Sequence, residues 1–301
     1  MLRDKIIPCV KERIRRLLID YAHPWYVERM WRARGKRFDW DHPRDINEKI
    51  QWLLCYGDTS RWSDLSDKLR VRDHLADMGL QELLVPLLGH WAKPEDIDFE
   101  TLPGRFVLKC NHDSGSTIVV DKSRRPDYDD IRRRLAQHLR RRHGYVNGET
   151  YYNCITPCIL AEQYLEDAGT SFSTSLVDYK VWCFDGKPYC VWACYSRSDE
   201  AVYVNVYDMQ WNVHPEHSVF TDHYRDGRGK VPRPKTLTQM IDVAARLSEG
   251  FPEVRVDLFE VNGRLYFSEL TFACYGGLMD FYTDAFLREL GDQVTLPPRH
   301  S

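Results

Sequence analysis

Residues 254–272, VRVDLFEVNGRLYFSELTF, constrain the fold more than any other stretch of the chain. Apolar and polar residues alternate on both sides of an Asn-Gly pair. The segment therefore reads as two strands joined by a two-residue turn at Asn262–Gly263. A period of two places Arg255 and Asp257 on one face of the first strand, and Glu269 and Thr271 on one face of the return strand. Pairing across the turn brings Asp257 near Glu269. Two carboxylates on adjacent strands beside a cation form a hard-oxygen site suited to Mg2+ carrying phosphates. A cross-strand salt bridge between Arg255 and Glu269, with Asp257 exposed, accounts for the same residues equally well.

The hairpin sits in a chain of 301 residues, long enough for roughly two domains and a sizeable core. With 43% hydrophobic and 13% aromatic residues, wholesale disorder is excluded. The formal net charge of -3 argues against a nucleic-acid coat protein, which would be strongly basic. No run approaches the roughly 18 consecutive apolar residues of a membrane span. Residues 1–20 lack the apolar core of a secretory signal, so a cytoplasmic location is expected, and the nine cysteines read as reduced thiols rather than a disulfide or metal framework.

Helical periodicity marks residues 2–20, 45–56, 64–78, 131–144 and 236–249. Asn47 or Asp45 is suited to cap the second of these, Gly79 to close the third, and Thr236 or Thr238 to cap the last. The basic stripes at 2–20 and 131–144 are suited to an anionic membrane surface, but packing on the protein body and a solvated helix face are the simpler readings. Strands are expected at 105–109, 117–121 and 158–165, and a second hairpin at 178–196 turns at Asp185–Gly186. The order, a helical N-terminal region followed by strand-rich segments, predicts an α+β fold.

Three further segments bear chemistry. FVLKCNHDSGST (106–117) is a strand ending in Lys109 and opening into a Gly-containing polar loop, whose backbone amides suit an anion. It lacks the order of a P-loop, and S-G-S is common in ordinary hairpin loops. ILAEQYLED (159–167) is an apolar strand with an acidic end, able to frame a nucleotide base and ribose or simply to be a buried strand with a polar tip. Lys180, in DYK (178–180), meets either a phosphate or solvent. His112, His223, Tyr224 and Arg225 suit an acceptor site, and equally suit surface loops.

Taken together and in order, INEKIQW (46–52), FVLKCNH (106–112) with SGS (114–116), AEQYLED (161–167), DYK (178–180), CFDGKP (183–188), GFPEVRVD (250–257) and SELTF (268–272) resemble the TupA-like ATP-grasp family, associated with cell-surface polysaccharide and teichuronopeptide biosynthesis. The match spans about residues 45–280. It implies an ATP-grasp fold of two α+β lobes clamping ATP: a mostly helical N-terminal region at 1–104 on the substrate side, a lid lobe at 105–170 and a C-terminal lobe with the metal site at 171–301. Residue by residue, it implies Lys109 on the α- and β-phosphates and the backbone of Asp113, Ser114, Gly115, Ser116 and Thr117 over the β- and γ-phosphates. Glu162, Gln163 and Leu165 frame the adenine, and Glu166 or Asp167 holds the ribose. Lys180 is the second phosphate lysine, Arg255 stabilises the transferring phosphoryl group, and Asp257 and Glu269 bind Mg2+. The third metal ligand of the wider superfamily is commonly Asn two positions after the Glu; here it is Thr271, a poorer ligand.

The implied activity is ATP- and Mg2+-dependent ligation of an amine or amino acid to a uronic-acid carboxyl of a surface polysaccharide or its precursor, through an acyl phosphate. Its partners are that glycan and the amine, with no nucleic acid, and its place is the cytoplasm, with peripheral association at the inner face of the membrane as an added expectation. The alternatives are a glycosyltransferase or sugar kinase of capsule or O-antigen biosynthesis, and a non-catalytic nucleotide- or membrane-binding scaffold.

Overall fold

The computed structural model describes residues 2–167 and 172–299, with side chains from Glu12 onward. Two mostly antiparallel sheets carry the molecule, with helices packed against them. The N-terminal region supplies α1 (Leu2–Tyr21), α2 (His23–Ala33), α3 (Ile46–Tyr56), α4 (Trp62–Ser66) and α5 (Val71–Asp77). The smaller sheet contains β1 (Leu87–Trp91), β2 (Arg105–Cys110), β3 (Ile118–Asp121) and β4 (Ile159–Gln163), in the order β1-β4-β2-β3. Between β3 and β4 lie α6 (Tyr128–Leu139) and α7 (Gly144–Asn147). The larger sheet has the order β10-β9-β5-β6-β7-β8. Its strands are β5 (Asp178–Phe184), β6 (Lys187–Tyr195), β7 (Val202–Asp208), β8 (Tyr224–Asp226), β9 (Val254–Val261) and β10 (Arg264–Thr271). Helix α8 (Leu237–Ser248) precedes β9, and α9 (Asp284–Gln293) follows β10. The architecture is the expected α+β class.

Each sheet has its own core. Phe106, Leu108, Val120, Ile159 and Ala161 of the small sheet pack with Ile131 and Leu135 of α6. Val181, Val191, Val204, Val256 and Leu265 of the large sheet pack with Met240, Val243, Ala244 and Leu247 of α8. Both hairpin turns form where expected: Asp185–Gly186 (φ 46° and 76°) and Asn262–Gly263 (φ 53° and 75°) are left-handed at both positions, as a type I′ turn requires.

Several helices depart from expectation. The segment 64–78 is not one helix but α4 and α5, because Asp67 turns its carboxylate onto the backbone N–H groups of Leu69 (2.8 Å) and Arg70 (3.4 Å) and ends the first helix. The basic stretch 131–144 likewise stops at Leu139 and resumes as α7. In α1, Ile6, Ile7 and Val10 of the expected stripe lie outside the described side chains; Ile14 and Leu17 are about half exposed, and Ile19 is the buried residue. Asp45, not Asn47, caps α3 by accepting from Glu48 N–H at 2.9 Å. Thr236 sits at the cap of α8 but spends its hydroxyl and N–H on the Glu260 carboxylate, at 2.6 and 2.7 Å. No helix among the described residues is long and apolar enough to cross a membrane. The eight described cysteines are free thiols, and burial pushes Cys110, Cys158, Cys183 and Cys194 up to about 12, far from reactive thiolates.

Candidate active site

The β9–β10 hairpin builds the site through a bulge. From the Asn262–Gly263 turn, Arg264 pairs with Val261 and Phe267 with Leu258, so Leu265 and Phe267 face the core. Uninterrupted alternation would send Glu269 to that apolar face as well. The register shifts by one residue between Phe267 and Glu269, which reverses the alternation. Glu269 thereby stands opposite Asp257, and Thr271 opposite Arg255. On the other side of β9, Lys180 of β5 pairs with Asp257. Five candidate side chains, Lys180, Arg255, Asp257, Glu269 and Thr271, share one face of three adjacent strands.

Asp257 is saturated with charge. Arg255 donates to both of its oxygens, at 2.7 and 2.8 Å, and Lys180 approaches at 2.5 Å while also contacting Asp178 at 2.7 Å. Asp257 is thus fully buried in an ion pair rather than exposed, and Lys180 is buried as well. Glu269 differs: its contacts are loose, 3.3 Å to Thr271 Oγ1, 3.4 Å to Lys68 Nζ and 4.0 Å to Arg255. Burial alone would raise its pKa, but Lys68, Lys180, Arg255 and Lys109 outweigh that and pull it down to about 2. An ionised carboxylate with unsaturated oxygens, opposite a second carboxylate, suits a hard cation. Arg255 also donates to Thr271 Oγ1 (3.2 Å) and reaches Cys274 Sγ at 2.9 Å.

The small sheet contributes the second wall. Lys109, near the end of β2, pairs with Glu162 of β4 at 2.6 Å, and Arg72 reaches the same carboxylate at 3.5 Å. The loop beyond Lys109 is anchored at its base and open at its tip. Asn111 bonds the Asp67 carboxylate (3.0 Å) and the Thr156 carbonyl (3.0 Å), and Asp113 pairs with His138 at 2.6 Å. Ser116 turns inward, its Oγ accepting from Cys110 N–H at 2.9 Å. Ser114, Gly115 and Thr117 are exposed, and Gly115 takes φ +80° with nothing close enough to touch a Cβ. His112, an acceptor candidate, is buried, with its Nε2 3.2 Å from the Arg141 carbonyl.

At the other end of β4, Gln163 is exposed and Leu165 half-buried. Arg105 holds the exposed Glu166 carboxylate at 2.9 Å. Asp167, half-buried, is the other candidate for the ribose. The Glu166 carbonyl accepts from Asn262 Nδ2 at 3.0 Å, which ties the tip of the hairpin to this segment.

Three groups in the site were not singled out from sequence. Lys68 bridges the two walls, donating to the Asp113 carbonyl at 2.9 Å while lying 3.4 Å from Glu269. Arg72 backs Glu162. Both come from the α4–α5 segment, whose apolar periodicity hides the residues at its break. Glu149 is buried near Arg255 and Glu269; burial raises it to about 8 against the pull of Arg255.

The TupA-like ATPgrasp family profile matches residues 48–295. No curated protein matches the chain. Among solved structures, the chain is similar to the D-alanine–D-alanine ligase of Bacillus anthracis complexed with ATP (16% identity, 89% of this chain and 72% of that one, TM-score 0.43). It is also similar to the ATP-grasp ligase PsnB complexed with a minimal precursor (13% identity, 81% and 69% covered, TM-score 0.42). A third is the D-cycloserine synthetase DcsG (15% identity, 80% and 72% covered, TM-score 0.42). With the profile covering most of the chain and every segment that builds the two walls, this protein belongs to the TupA-like ATP-grasp family of enzymes.

Proposed function

We propose that the protein is an ATP- and Mg2+-dependent carboxylate–amine ligase that joins an amine or amino acid to a uronic-acid carboxyl of a surface glycan or its precursor, through an acyl phosphate. The observation that carries the ligase reading is the meeting of Lys109, Lys68, Lys180 and Arg255 around Glu269, which keeps that carboxylate ionised. Glu269, with open oxygens, suits Mg2+; Asp257 stands opposite it with both oxygens held by Arg255 and Lys180, and would join Glu269 as a ligand by exchanging the Lys180 contact. When bound, the cation would neutralise phosphate charge. The uronic-acid part rests on the family's association with surface polysaccharides.

Phosphoryl transfer asks little covalent work of a protein; positioning and charge neutralisation dominate. Lys109 of the small sheet and Lys180 of the large sheet suit the phosphates, and Arg255, fixed by Asp257, suits charge building on the transferred group. The tip at 114–117 suits the β- and γ-phosphates and would exclude water that otherwise hydrolyses an acyl phosphate. Glu162, Gln163 and Leu165 suit the adenine, and Glu166 or Asp167 the ribose. In this reading the helical region 1–104 lies on the substrate side, 105–170 is the lid, 171–301 carries the metal site, and the enzyme works in the cytoplasm or at the inner face of the membrane.

The test is incubation with ATP, Mg2+ and a matrix of sugar acids and amines, read by mass. An amide product with ADP and phosphate supports the reading. A stable phosphorylated sugar would make the enzyme a kinase, and turnover without Mg2+ would remove the metal role.

A further inference from the structure

The five residues Ala273 to Gly277, which follow Phe272 beyond the end of β10, adopt an unusual backbone. Ala273 (φ 45°), Tyr275 (54°), Gly276 (59°) and Gly277 (68°) are all left-handed. For glycine this is free; for Ala273 and Tyr275 it is strained. Such strain persists where the surroundings over-determine it, and here they do. A Cβ on Gly276 would lie 2.3 Å from the Asn147 carbonyl oxygen, and one on Gly277 would lie 2.5 Å from that of Asn47. Gln51 donates to the Gly276 carbonyl, and the Asn47 amide both donates to the Met279 carbonyl (2.8 Å) and accepts from Met279 N–H (2.9 Å). Ala273 N–H bonds the buried Glu253 at 3.2 Å.

The effect of this clamp is to present Tyr275. Tyr275 is 50% exposed, although its neighbour Cys274 is buried against Arg255. Its hydroxyl lies 3.0 Å from that of Tyr224, and its ring stands edge-on to Phe281 at 5.4 Å. Tyr224 in turn packs on Phe281 (5.1 Å) and Trp192 (5.7 Å), with exposed His223 against it at 4.7 Å. A rigid aromatic ledge with two phenol hydroxyls thus begins at the chain neighbour of Cys274, the thiol that Arg255 reaches.

We infer that Tyr275 and Tyr224 are the acceptor platform of the ligase, on which the pyranose ring of a sugar acid stacks with its carboxylate toward Arg255. This rests on the ligase reading and deepens it. The C–H face of a pyranose packs on an aromatic face, and its ring hydroxyls exchange hydrogen bonds with phenols. An aliphatic amino acid or a simple amine offers neither a flat C–H face nor a ring of hydroxyls. A glycine at position 275 would relieve the strain, so the ring is what the strained backbone serves.

Saturation-transfer NMR of the purified protein tests this, with Mg2+, a non-hydrolysable ATP analogue, and methyl glucuronide or methyl galacturonide as probes. Saturation of the sugar ring protons is expected. Tyr275→Gly, which takes φ 54° without strain, should fold with unchanged or higher Tm, keep its nucleotide signal, and bind the sugar acid at least tenfold more weakly. Tyr275→Phe, which keeps the ring and loses the hydroxyl, should fall between. Wild-type sugar affinity in Tyr275→Gly overturns the platform, as does a wild type that binds nucleotide but neither sugar acid. A wild type that binds no nucleotide overturns the ligase reading itself, and the platform with it.

Discussion

Glu269 is kept charged by the cations around it, with 31% of its side chain still open to water. That makes it the residue whose neutral isostere should cost most. Glu269→Gln preserves shape and removes the charge, so ATP turnover should fall by about a hundredfold or more, the scale of losing one preorganised electrostatic group, while circular dichroism stays unchanged. Near-wild-type turnover would sink its metal role. Lys109→Ala should lower turnover similarly and leave Glu162 paired only with Arg72. Glu253 gives a test by pH. It is fully buried, and burial raises it from 4.5 to about 7, with one oxygen held by Ala273 N–H. A carboxyl raised in the folded state binds its proton more tightly there. Its stabilising contribution is therefore complete below pH 4.5, fades as pH rises toward 7, and is lost above it, on the order of 3 kcal/mol in all. Glu253→Gln should melt close to wild type at pH 5 and above it at pH 8. Parallel Tm curves for the two proteins across that window would contradict the assignment.

At the level of elements, α3 links the N-terminal region to the site. Asp45 caps it by accepting from Glu48 N–H, and Glu48 accepts from Arg44 N–H just before the cap. Lys49 donates to the Gly291 and Val294 carbonyls, at 2.7 and 2.8 Å, and Asn47 and Gln51 grip the loop after β10. Asn47→Ala strands a buried carbonyl and a buried N–H at Met279, so unfolding free energy should drop by roughly 1–3 kcal/mol, read as a lower denaturant midpoint. The same element shows what was legible in the sequence. The helix and its apolar stripe follow from local pattern, which leaves the cap open between Asn47 and Asp45; the reach of Asn47 to residue 279, which takes it away from capping, is a tertiary fact with no local signal. The β9–β10 hairpin is similar. Its turn and its Arg255, Asp257 face were readable from Asn-Gly and alternation, but the bulge that turns Glu269 from the core side toward Asp257 was not. Lys68 was hidden because the break between α4 and α5 depends on Asp67 capping a turn and accepting from Asn111, 44 residues on.

Across the whole molecule, the site exists only where the two sheets meet. Lys68 joins Asp113 to Glu269, Asn262 joins the hairpin tip to Glu166, and Arg264 donates to the Glu82 carbonyl at 2.9 Å. A ligand that contacts both walls binds the native arrangement and not the unfolded chain, so it should stabilise the molecule by mass action. At a hundredfold excess over its Kd, the gain is about 2.7 kcal/mol, a Tm rise of several degrees for a chain of this size. The division of that rise between nucleotide and metal identifies the wall each engages. ATP alone should raise Tm partially, through Lys109 and the 111–117 loop, and Mg2+ should add a second increment. In Glu269→Gln the first increment should survive and the second vanish, whereas Lys109→Ala should diminish the first. An equal Mg2+ increment in Glu269→Gln and wild type would place the cation elsewhere, and separate the phosphate-binding wall from the carboxylate pair that the β10 bulge brings together.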